Sequence, residues 1–345
     1  MNRSLLAKHI TIPCRLVVYD EVDSTNDVLK RKTEQEDGHE KKYPSVIVAV
    51  ADRQTAGRGR FGRSWASPAG GVYLSLALTL ETSSEQLSSL SLVTACALRE
   101  ALSAYTNSGR TISASCVKSA SVGIKWPNDI IASYKGHEGK LAGILIETIG
   151  GKPICNETTG NETTGNETIG GKPISNETTG NETTGGKPTG NETTGNKPVQ
   201  NAQRVIIGVG VNVARPAQTV ASDEHAMYLS DLIADTTAQR ISETSEISRE
   251  MVAACVINAI CAHITAWRDH SYSFAFFKDE YEQHLTLLAQ EVVVRHMGAN
   301  VIHVIAEGVV QGVNGYGQLV VQNSQNGGEL IAVSVGDVTL RSAGL

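Results

Sequence analysis

Arginines are concentrated in one glycine-containing stretch of the sequence, TAGRGRFGRSW at 55–65. Arg53, Arg58, Arg60 and Arg63 fall within 11 residues of an otherwise acidic chain. Glycines between them let backbone N–H groups approach a ligand closely, and guanidinium groups bind the oxygens of phosphates and carboxylates. The stretch therefore predicts a flexible loop that binds a phosphate or an acyl phosphate. A solvated basic loop is the alternative.

The glycines of this stretch match the G-x-G-x-x-G pattern of dinucleotide-binding folds, with Gly57, Gly59 and Gly62 in place. That pattern requires a strand that ends at the first glycine and a helix that begins at the third. Here the preceding strand pattern ends at Asp52, and the residues after Gly62 are a poor helix start. The context therefore excludes a dinucleotide site.

Two lysine-containing segments supply further groups for a phosphate site. KWPND at 125–129 places a cation, an amide and a carboxylate at a predicted strand end, and KLAG at 140–143 begins the next strand. Antiparallel pairing of these strands would bring Lys125 and Lys140 to one face. Each segment also has a structural alternative: core packing for Trp126, a turn for Asp129 and an edge position for Lys140.

Apolar and alternating segments predict a sheet that positions these residues. Strands are predicted at 14–20, 45–52, 71–80, 121–126, 140–149 and 204–213, and helices from 26, at 82–105, at 244–268 and at 272–288. The alternation at 71–80 indicates a half-buried strand. The polar segment between Asp129 and Lys140 is interpreted as a loop. From 291 onward, short β-rich runs predict a small terminal barrel.

A low-complexity insert interrupts this pattern from 151 to about 201, where NETTG and NETIG units repeat. Glycine, proline and few apolar residues prevent a packed core, so the insert is predicted to be an unfolded loop. Because it lies between two strand segments, we expect it to extend a hairpin turn and leave the pairing intact. Two domains are predicted, at 1–289 and 290–345.

Composition excludes several classes of protein. A net charge of −6 argues against general nucleic-acid binding. We expect a cytoplasmic protein without a membrane span, because no run approaches about 18 apolar residues and no signal peptide is recognisable. Six cysteines without C-x-x-C indicate reduced thiols, and nine dispersed histidines give no support to a Ser-His-Asp site.

Five motifs in order resemble biotin protein ligase, the biotin–[acetyl-CoA-carboxylase] ligase and holocarboxylase synthetase family. They are DSTND (23–27), QTAGRGRFGRSW (54–65), KWPND (125–129), KLAGILIE (140–147) and GVGVNV (208–213). The resemblance implies an α+β fold: a mixed β-sheet flanked by helices, as in class II aminoacyl-tRNA synthetases, with a small C-terminal SH3-like β-barrel. It also implies that biotin and ATP form biotinyl-5′-AMP, from which biotin passes to a lysine of a biotin carboxyl carrier domain.

The resemblance assigns roles to individual residues. Those similar to the biotin site are Ser24, Thr25, Asn26, Gln54, Arg58, Arg60, Lys140 and Gly143. Those similar to the nucleotide site are Arg58, Arg63, Trp65, Lys125, Asn128 and Asn212. The catalytic group would comprise Arg60, Lys125, Asp129 and Lys140. Asp129 would also bind Mg²⁺.

Partners and alternatives also follow from the resemblance. The acceptor would belong to acetyl-CoA carboxylase or a similar carboxylase. About 13 residues precede the first strand, too few for the DNA-binding domain of some members, so no DNA partner is expected. Monomer and homodimer both remain open. The rival functions are a lipoate–protein ligase or octanoyltransferase and a non-enzymatic nucleotide-binding module.

Overall fold

Two β-sheets organise the part of the chain that the computed structural model describes, which is residues 1–35, 46–108, 120–149, 202–216, 225–237, 248–297, 302–323 and 328–341. The larger sheet has the strand order β1-β2-β3-β7-β6-β5-β4. Its strands are β1 (Arg15–Val22), β2 (Ile47–Gln54), β3 (Val72–Glu81), β4 (Ala120–Lys125), β5 (Asp129–Tyr134), β6 (His137–Thr148) and β7 (Ala202–Val211). Only β1 and β2 pair in parallel within it, so the predicted mixed sheet is confirmed.

Helices cover both faces of the larger sheet. They are α1 (Arg3–His9), α2 (Thr25–Gln35), α3 (Ser84–Leu87), α4 (Leu90–Ser108), α5 (Leu229–Thr237), α6 (Arg249–Asp269) and α7 (Lys278–Gln283). Side chains of a strand alternate between faces, so Ile47 and Ala49 pack with α2 while Val48 and Val50 join the core formed with α4 and α6. The predicted α+β arrangement of a sheet flanked by helices is confirmed.

Strand β3 is buried on both faces along most of its length. Leu74 and Leu76 are fully buried, and so is Ser75 on the opposite face, while Tyr73 is only 2% exposed. The prediction of a half-buried strand is therefore wrong. Ser75 and Ala77 on the second face are small, which allows α2 to pack directly against the sheet.

Strands β6 and β7 form an antiparallel pair from Ala142↔Val211 to Thr148↔Val205. The low-complexity insert joins these strands, so the expectation that it leaves their pairing intact is confirmed. The insert itself, for which an unfolded loop is predicted, lies outside the described residues.

A tight hairpin connects β5 to β6, where the sequence pattern predicted a polar loop. Tyr134 pairs with His137 across the two-residue turn, and both turn residues have positive φ, 51° at Lys135 and 79° at Gly136. Positive φ at both positions is characteristic of a type I′ turn, which matches the twist of the flanking strands. The loop prediction is wrong because the polar residues belong to an exposed hairpin end.

Replacing Gly136 by alanine should lower the free energy of unfolding by about 1 kcal/mol, because alanine is strained at this φ. Gly315 provides the control, since its φ is not in the positive range and no atom lies within 4 Å of an added Cβ. Urea titration should show a lower midpoint for Gly136→Ala than for Gly315→Ala. Equal midpoints would contradict the turn assignment.

The helices near 82–105 and 272–288 differ from their predictions. The first begins with a capping box formed by Ser83 and Gln86, one residue later than predicted, and it breaks before α4. In the second region, a 3₁₀ turn at Phe274–Phe276 and the short α7 replace one long helix. Two successive residues with positive φ, Ser271 and Tyr272, separate this region from α6.

Helix α6 is long and apolar enough, at a mean hydropathy of 1.4, to meet the length and composition of a membrane span. The expectation that no segment has this composition is therefore wrong. Eight of its side chains are buried, and they include Ile257, Ile260 and Trp267 in the core shared with α4. A core helix of a folded protein meets the same criterion, so this composition is weak evidence for a membrane.

The smaller sheet is entirely antiparallel, with the order β11-β10-β9-β8-β12. Its strands are β8 (Glu291–Met297), β9 (Ile302–Val313), β10 (Leu319–Asn323), β11 (Leu330–Val333) and β12 (Asp337–Leu340). The short strands predicted from 291 onward are therefore confirmed. An SH3-like barrel is not confirmed, and the division into domains at 289 and 290 stays a prediction.

Candidate active site

One cavity of about 440 Å³ lies where the larger sheet, the arginine-rich loop and β12 meet. This volume is within the range of small-molecule sites. Every residue predicted for the site lines it: Ser24, Thr25, Asn26, Gln54, Arg58, Arg60, Arg63, Trp65, Lys125, Asn128, Asp129, Lys140, Gly143 and Asn212. The structure thus brings the predicted residues together, while the role of each one stays a prediction.

Glycines of β6 and β7 form a flat floor beneath the cavity. A Cβ on Gly210 would lie 2.5 Å from Trp65 Nε1, and one on Gly143 would lie 3.0 Å from the Trp65 ring. A Cβ on Gly208 would overlap Asn26 in the same way. These positions must therefore be glycine for the indole and the amide to lie against the strands.

A polar wall closes one end of the cavity at the start of α2. Gln54 Oε1 accepts a hydrogen bond of 2.9 Å from the Thr25 N–H, and Gln54 Nε2 donates one of 2.9 Å to Ser67 Oγ. Ser75 Oγ lies 2.7 Å from Thr25 Oγ1 and 2.5 Å from Asn26 Oδ1. The wall is preorganised, because each of these side chains is held by a neighbour.

Glu147 supports this wall from beneath and was missed by sequence reasoning. It is only 6% exposed, and its carboxylate accepts hydrogen bonds of 2.7 Å from both Asn26 Nδ2 and Lys30 Nζ. Arg58 Nη2 lies 3.3 Å from the same group. The sequence feature that could have identified Glu147 is an acidic residue among the aliphatic residues of KLAGILIE, because a buried charge needs partners.

Residues 57–65, hereafter the flap, fold back over the cavity. The N–H of Gly59 donates to Arg63 O at 2.7 Å, and the N–H of Trp65 donates to Gly57 O at 2.9 Å. A 3₁₀ turn at Arg60–Gly62 forms its tip. No helix begins at the third glycine, so the strand–turn–helix context that a dinucleotide-binding pattern requires is missing here, as predicted.

Each flap arginine predicted for ligand binding contacts a different part of the protein. Arg58 makes two hydrogen bonds to Asp27, of 2.6 and 2.7 Å. Arg60 Nη1 donates to Asn128 Oδ1 at 3.1 Å, and Arg63 Nη2 lies 2.6 Å from Asp337 Oδ1. The flap is therefore held by side chains of α2, the β4–β5 turn and β12.

The electrostatics of the flap are clearest at Arg58. Its hydrogen bonds to Asp27, together with the negative charge of Glu147, raise the pKa of the guanidinium and outweigh its partial burial. Arg58 is thus firmly cationic, as an anion-binding role requires.

The β4–β5–β6 hairpins bring the two predicted lysines to the cavity. Lys125 pairs with Asp129 in the register of β4 and β5, and Lys140 Nζ lies 2.7 Å from Asp129 Oδ1. The same Nζ lies 4.9 Å from the centre of the Trp65 ring. Antiparallel pairing therefore places both lysines at one cavity, as expected.

Of the structural alternatives, core packing holds for Trp126, whereas Asp129 begins β5 and Lys140 lies on β6, which is not an edge strand. Trp126 is only 2% exposed, and its Nε1 donates to Gly317 O at 3.0 Å, so it packs in the core. Asn128 Nδ2 donates to Ile144 O, and Asn212 Nδ2 donates to Lys140 O. Asn128 still presents Oδ1 to Arg60 in the cavity.

Two buried polar atoms at the cavity have no hydrogen-bond partner within the part of the chain that the structure describes. They are Trp65 Nε1 and Asp129 Oδ1, although the latter is ion-paired with Lys140. Buried polar groups are normally satisfied, so the Trp65 N–H remains available to a ligand, whereas Asp129 Oδ1 is occupied by its ion pair with Lys140. Among the described residues, no group of three metal-binding side chains occurs.

The chain is similar to known ligases in sequence and fold. Residues 18–160 match the biotin/lipoate A/B protein ligase family. The biotin–[acetyl-CoA-carboxylase] ligase of Paracoccus denitrificans is 38% identical over 104 residues, which are 30% of this chain and 38% of that protein. The bifunctional ligase/repressor BirA of Escherichia coli is 36% identical over 130 residues, 37% of this chain and 33% of that protein.

A solved structure extends the likeness in fold to nearly the whole chain. The biotin protein ligase from Aquifex aeolicus in complex with biotin and ATP has a TM-score of 0.57 at 22% identity, covering 95% of this chain and 98% of that one. The sequence matches, by contrast, span about a third of the length of the curated relatives. On these findings residues 18–160 of the chain form a domain that matches the biotin/lipoate A/B protein ligase family.

Proposed function

We propose that the protein is an ATP-dependent biotin protein ligase that joins biotin to a lysine of a biotin carboxyl carrier domain. The observation that carries this proposal is a cavity at which a neutral polar wall, three arginines and two lysines converge. A polar wall suits the ureido ring of biotin, and the cations suit a carboxylate beside a nucleotide phosphate. The names of the similar proteins support the same substrate.

In the first step, a carboxylate oxygen of biotin attacks the α-phosphorus of ATP and pyrophosphate leaves, which gives biotinyl-5′-AMP. Both reactants are anions, so the protein must align them and offset their charge. We assign the ureido ring to the wall of Ser24, Thr25, Asn26 and Gln54, above Gly143. We assign the developing charge to Arg58, Arg60, Lys125 and Lys140.

In the second step, the uncharged amine of the carrier lysine attacks the acyl carbon of biotinyl-5′-AMP. An amide bond forms, AMP leaves with the electrons of the broken C–O bond, and the amine loses a proton. No side-chain nucleophile is needed in this scheme. The acceptor we propose is a carrier domain of acetyl-CoA carboxylase or a similar carboxylase.

The nucleotide half of the proposed site lies nearer the flap tip and β6. Arg58, Arg63 and Lys125 would contact phosphate oxygens, while Trp65 offers an Nε1 that has no hydrogen-bond partner among the described residues. Asn128 and Asn212 complete the group that we assign to the nucleotide.

A Mg²⁺ ion that accompanies ATP has one candidate protein ligand, Asp129. Its carboxylate lines the cavity, and Mg²⁺ in nucleotide sites is often held by one or two carboxylates and the phosphates. When bound, the ion would offset phosphate charge. Asp129 would have to exchange its ion pair with Lys140 for this role.

Biotin-dependent exchange of pyrophosphate into ATP tests the proposal. We expect exchange with biotin and none with lipoate or octanoate. The wall offers hydrogen bonds, and neither the apolar ring of lipoate nor the apolar chain end of octanoate can use them. A carrier domain incubated with the protein, ATP, Mg²⁺ and biotin should gain one biotinyl group by mass spectrometry. Exchange with lipoate alone would favour the lipoate ligase, and exchange with neither acid would favour a binding module.

A cytoplasmic location and the absence of DNA and membrane partners accompany this proposal. The carboxylase acceptor and ATP are both available in the cytoplasm. Monomer and homodimer remain equally compatible with the proposed reaction.

A further inference from the structure

Ser75 on β3 lies behind the polar wall and is not part of the cavity lining. Its side chain is fully buried. Ser75 Oγ is 2.5 Å from Asn26 Oδ1 and 2.7 Å from Thr25 Oγ1. A serine hydroxyl has one proton and two lone pairs, so it donates only one of these two hydrogen bonds. The direction of each bond therefore decides what the wall offers to a ligand.

Glu147 fixes the orientation of the Asn26 amide. Its carboxylate forms an ion pair of 2.7 Å with Lys30 Nζ, and an ionised carboxylate accepts hydrogen bonds without donating any. The Asn26 atom 2.7 Å from Glu147 Oε2 is therefore the donor Nδ2. Asn26 Oδ1 consequently faces Ser75 Oγ, and a carbonyl oxygen only accepts. The single proton of Ser75 is thus committed to Asn26.

Thr25 must supply the proton for the remaining contact of Ser75. Because Ser75 Oγ accepts there, the Thr25 hydroxyl donates to it at 2.7 Å. The Thr25 N–H donates to Gln54 Oε1 at 2.9 Å, and this bond fixes the orientation of the Gln54 amide. Thr25 and Gln54 both line the cavity. Thr25 Oγ1 and Gln54 Oε1 therefore offer lone pairs, and no proton, to a ligand.

We propose that Ser75 is a positioning residue that transmits the hydrogen-bond direction from Glu147 to Thr25, so that the wall selects a ring carrying N–H groups. This inference rests on the proposed function, because the ureido ring of biotin carries two N–H groups. A ring with an acceptor oxygen at the same place would meet the lone pairs of Thr25 without a proton between them. An acceptor that is buried without a donor is unfavourable, so the ring with N–H groups should be preferred.

Calorimetric titration of the full chain with two kinds of ligand tests this preference. The ligands are biotin and its two cyclic carbamate analogues, in each of which a ring oxygen replaces one ureido N–H. The wild type should bind biotin about 10- to 100-fold more tightly than the weaker analogue, the range expected for one unpaired buried acceptor. Equal affinity for biotin and both analogues would overturn the proposal.

Ser75→Ala should reduce this preference about 5- to 10-fold, the size of one hydrogen bond. The change removes the acceptor of the Thr25 proton, so the Thr25 hydroxyl can turn and donate to the ring oxygen of the analogue. Biotin should bind about fivefold more weakly, while the analogue should bind as tightly as before or up to about twofold more tightly. Equal weakening of both ligands would contradict the proposal, because a general structural defect affects both alike.

Ser89→Ala is the matched control, since Ser89 is a buried serine whose hydroxyl donates to Gln86 O at 2.9 Å outside the cavity lining. It should leave the preference for biotin unchanged. Thr25→Val removes the hydroxyl through which Ser75 acts and should also reduce the preference. Adding Ser75→Ala to Thr25→Val should then change the preference no further. A further loss in the double variant would show that Ser75 does not act through Thr25.

Neutron diffraction from deuterium-exchanged crystals of the wild type tests the hydroxyl directions without a ligand. The deuterium of Ser75 should lie towards Asn26 Oδ1, and that of Thr25 towards Ser75 Oγ. A deuterium of Ser75 directed at Thr25 would overturn the proposal. If the wild type bound biotin but exchanged no pyrophosphate, the proposed function would fail while calorimetry would still decide the role of Ser75. If it bound no biotin, the selection of a ureido ring would fail as well.

Discussion

Replacing Lys140 by alanine should reduce biotin-dependent pyrophosphate exchange by about 10²- to 10³-fold, the loss typical for one preorganised group that stabilises developing charge. Lys140 Nζ is 2.7 Å from Asp129 and 4.9 Å from the centre of the Trp65 ring, so its position is fixed by both. The loss should appear in kcat at saturating ATP and biotin.

The fold should tolerate this replacement. The Lys140 side chain is 35% exposed, and the main-chain hydrogen bonds of β6 do not depend on it. We therefore expect Lys140→Ala to melt within a few degrees of the wild type. Lys140→Arg should retain part of the activity, because it keeps the charge with a different shape.

Lys135→Ala is the control for the Lys140 replacement. It removes a lysine from the exposed turn of the same hairpin, outside the cavity lining. Its exchange rate should match the wild type. If Lys140→Ala kept more than about a third of wild-type exchange, Lys140 would have no catalytic role.

Much of the larger sheet could be predicted because its strands carry strong local patterns. The predicted strands at 14–20, 45–52, 71–80 and 204–213 overlap β1, β2, β3 and β7 with shifts of two residues or fewer at each end. Strand β5 was missed because its second half runs into a polar, exposed hairpin. Hydrogen bonding to β4 on one side and β6 on the other, rather than its own residues alone, makes this segment a strand.

The cavity residues were predictable from residue type and spacing, but their protein partners were not. Arg63 and Asp337 are 274 positions apart, and their contact depends on how the smaller sheet packs against the larger one. The contact between Asn26 and Glu147 likewise depends on α2 lying across β6 and β7. Local sequence patterns carry no information on such packing, so these contacts required the structure.

Replacing Glu147 by alanine should lower the free energy of unfolding by about 2–3 kcal/mol, which is the second large effect that we expect. The change leaves the buried Asn26 Nδ2 without its acceptor and removes the anion next to Lys30 and Arg58. The two cations are partly exposed and retain Asp27 nearby, which keeps the cost below that of a fully buried pair. Urea unfolding should show a lower midpoint with an unchanged slope.

Two further variants separate charge from hydrogen bonding at this position. Glu147→Gln keeps an acceptor for Asn26 but loses the charge, so we expect it to cost about half as much as alanine. Glu138→Ala removes an exposed carboxylate from the same strand and should change stability by less than about 0.5 kcal/mol. If Glu147→Ala were no more destabilising than Glu138→Ala, the carboxylate would not support the polar wall. If it were destabilising but left the KM for biotin unchanged, Glu147 would stabilise the fold without positioning Asn26.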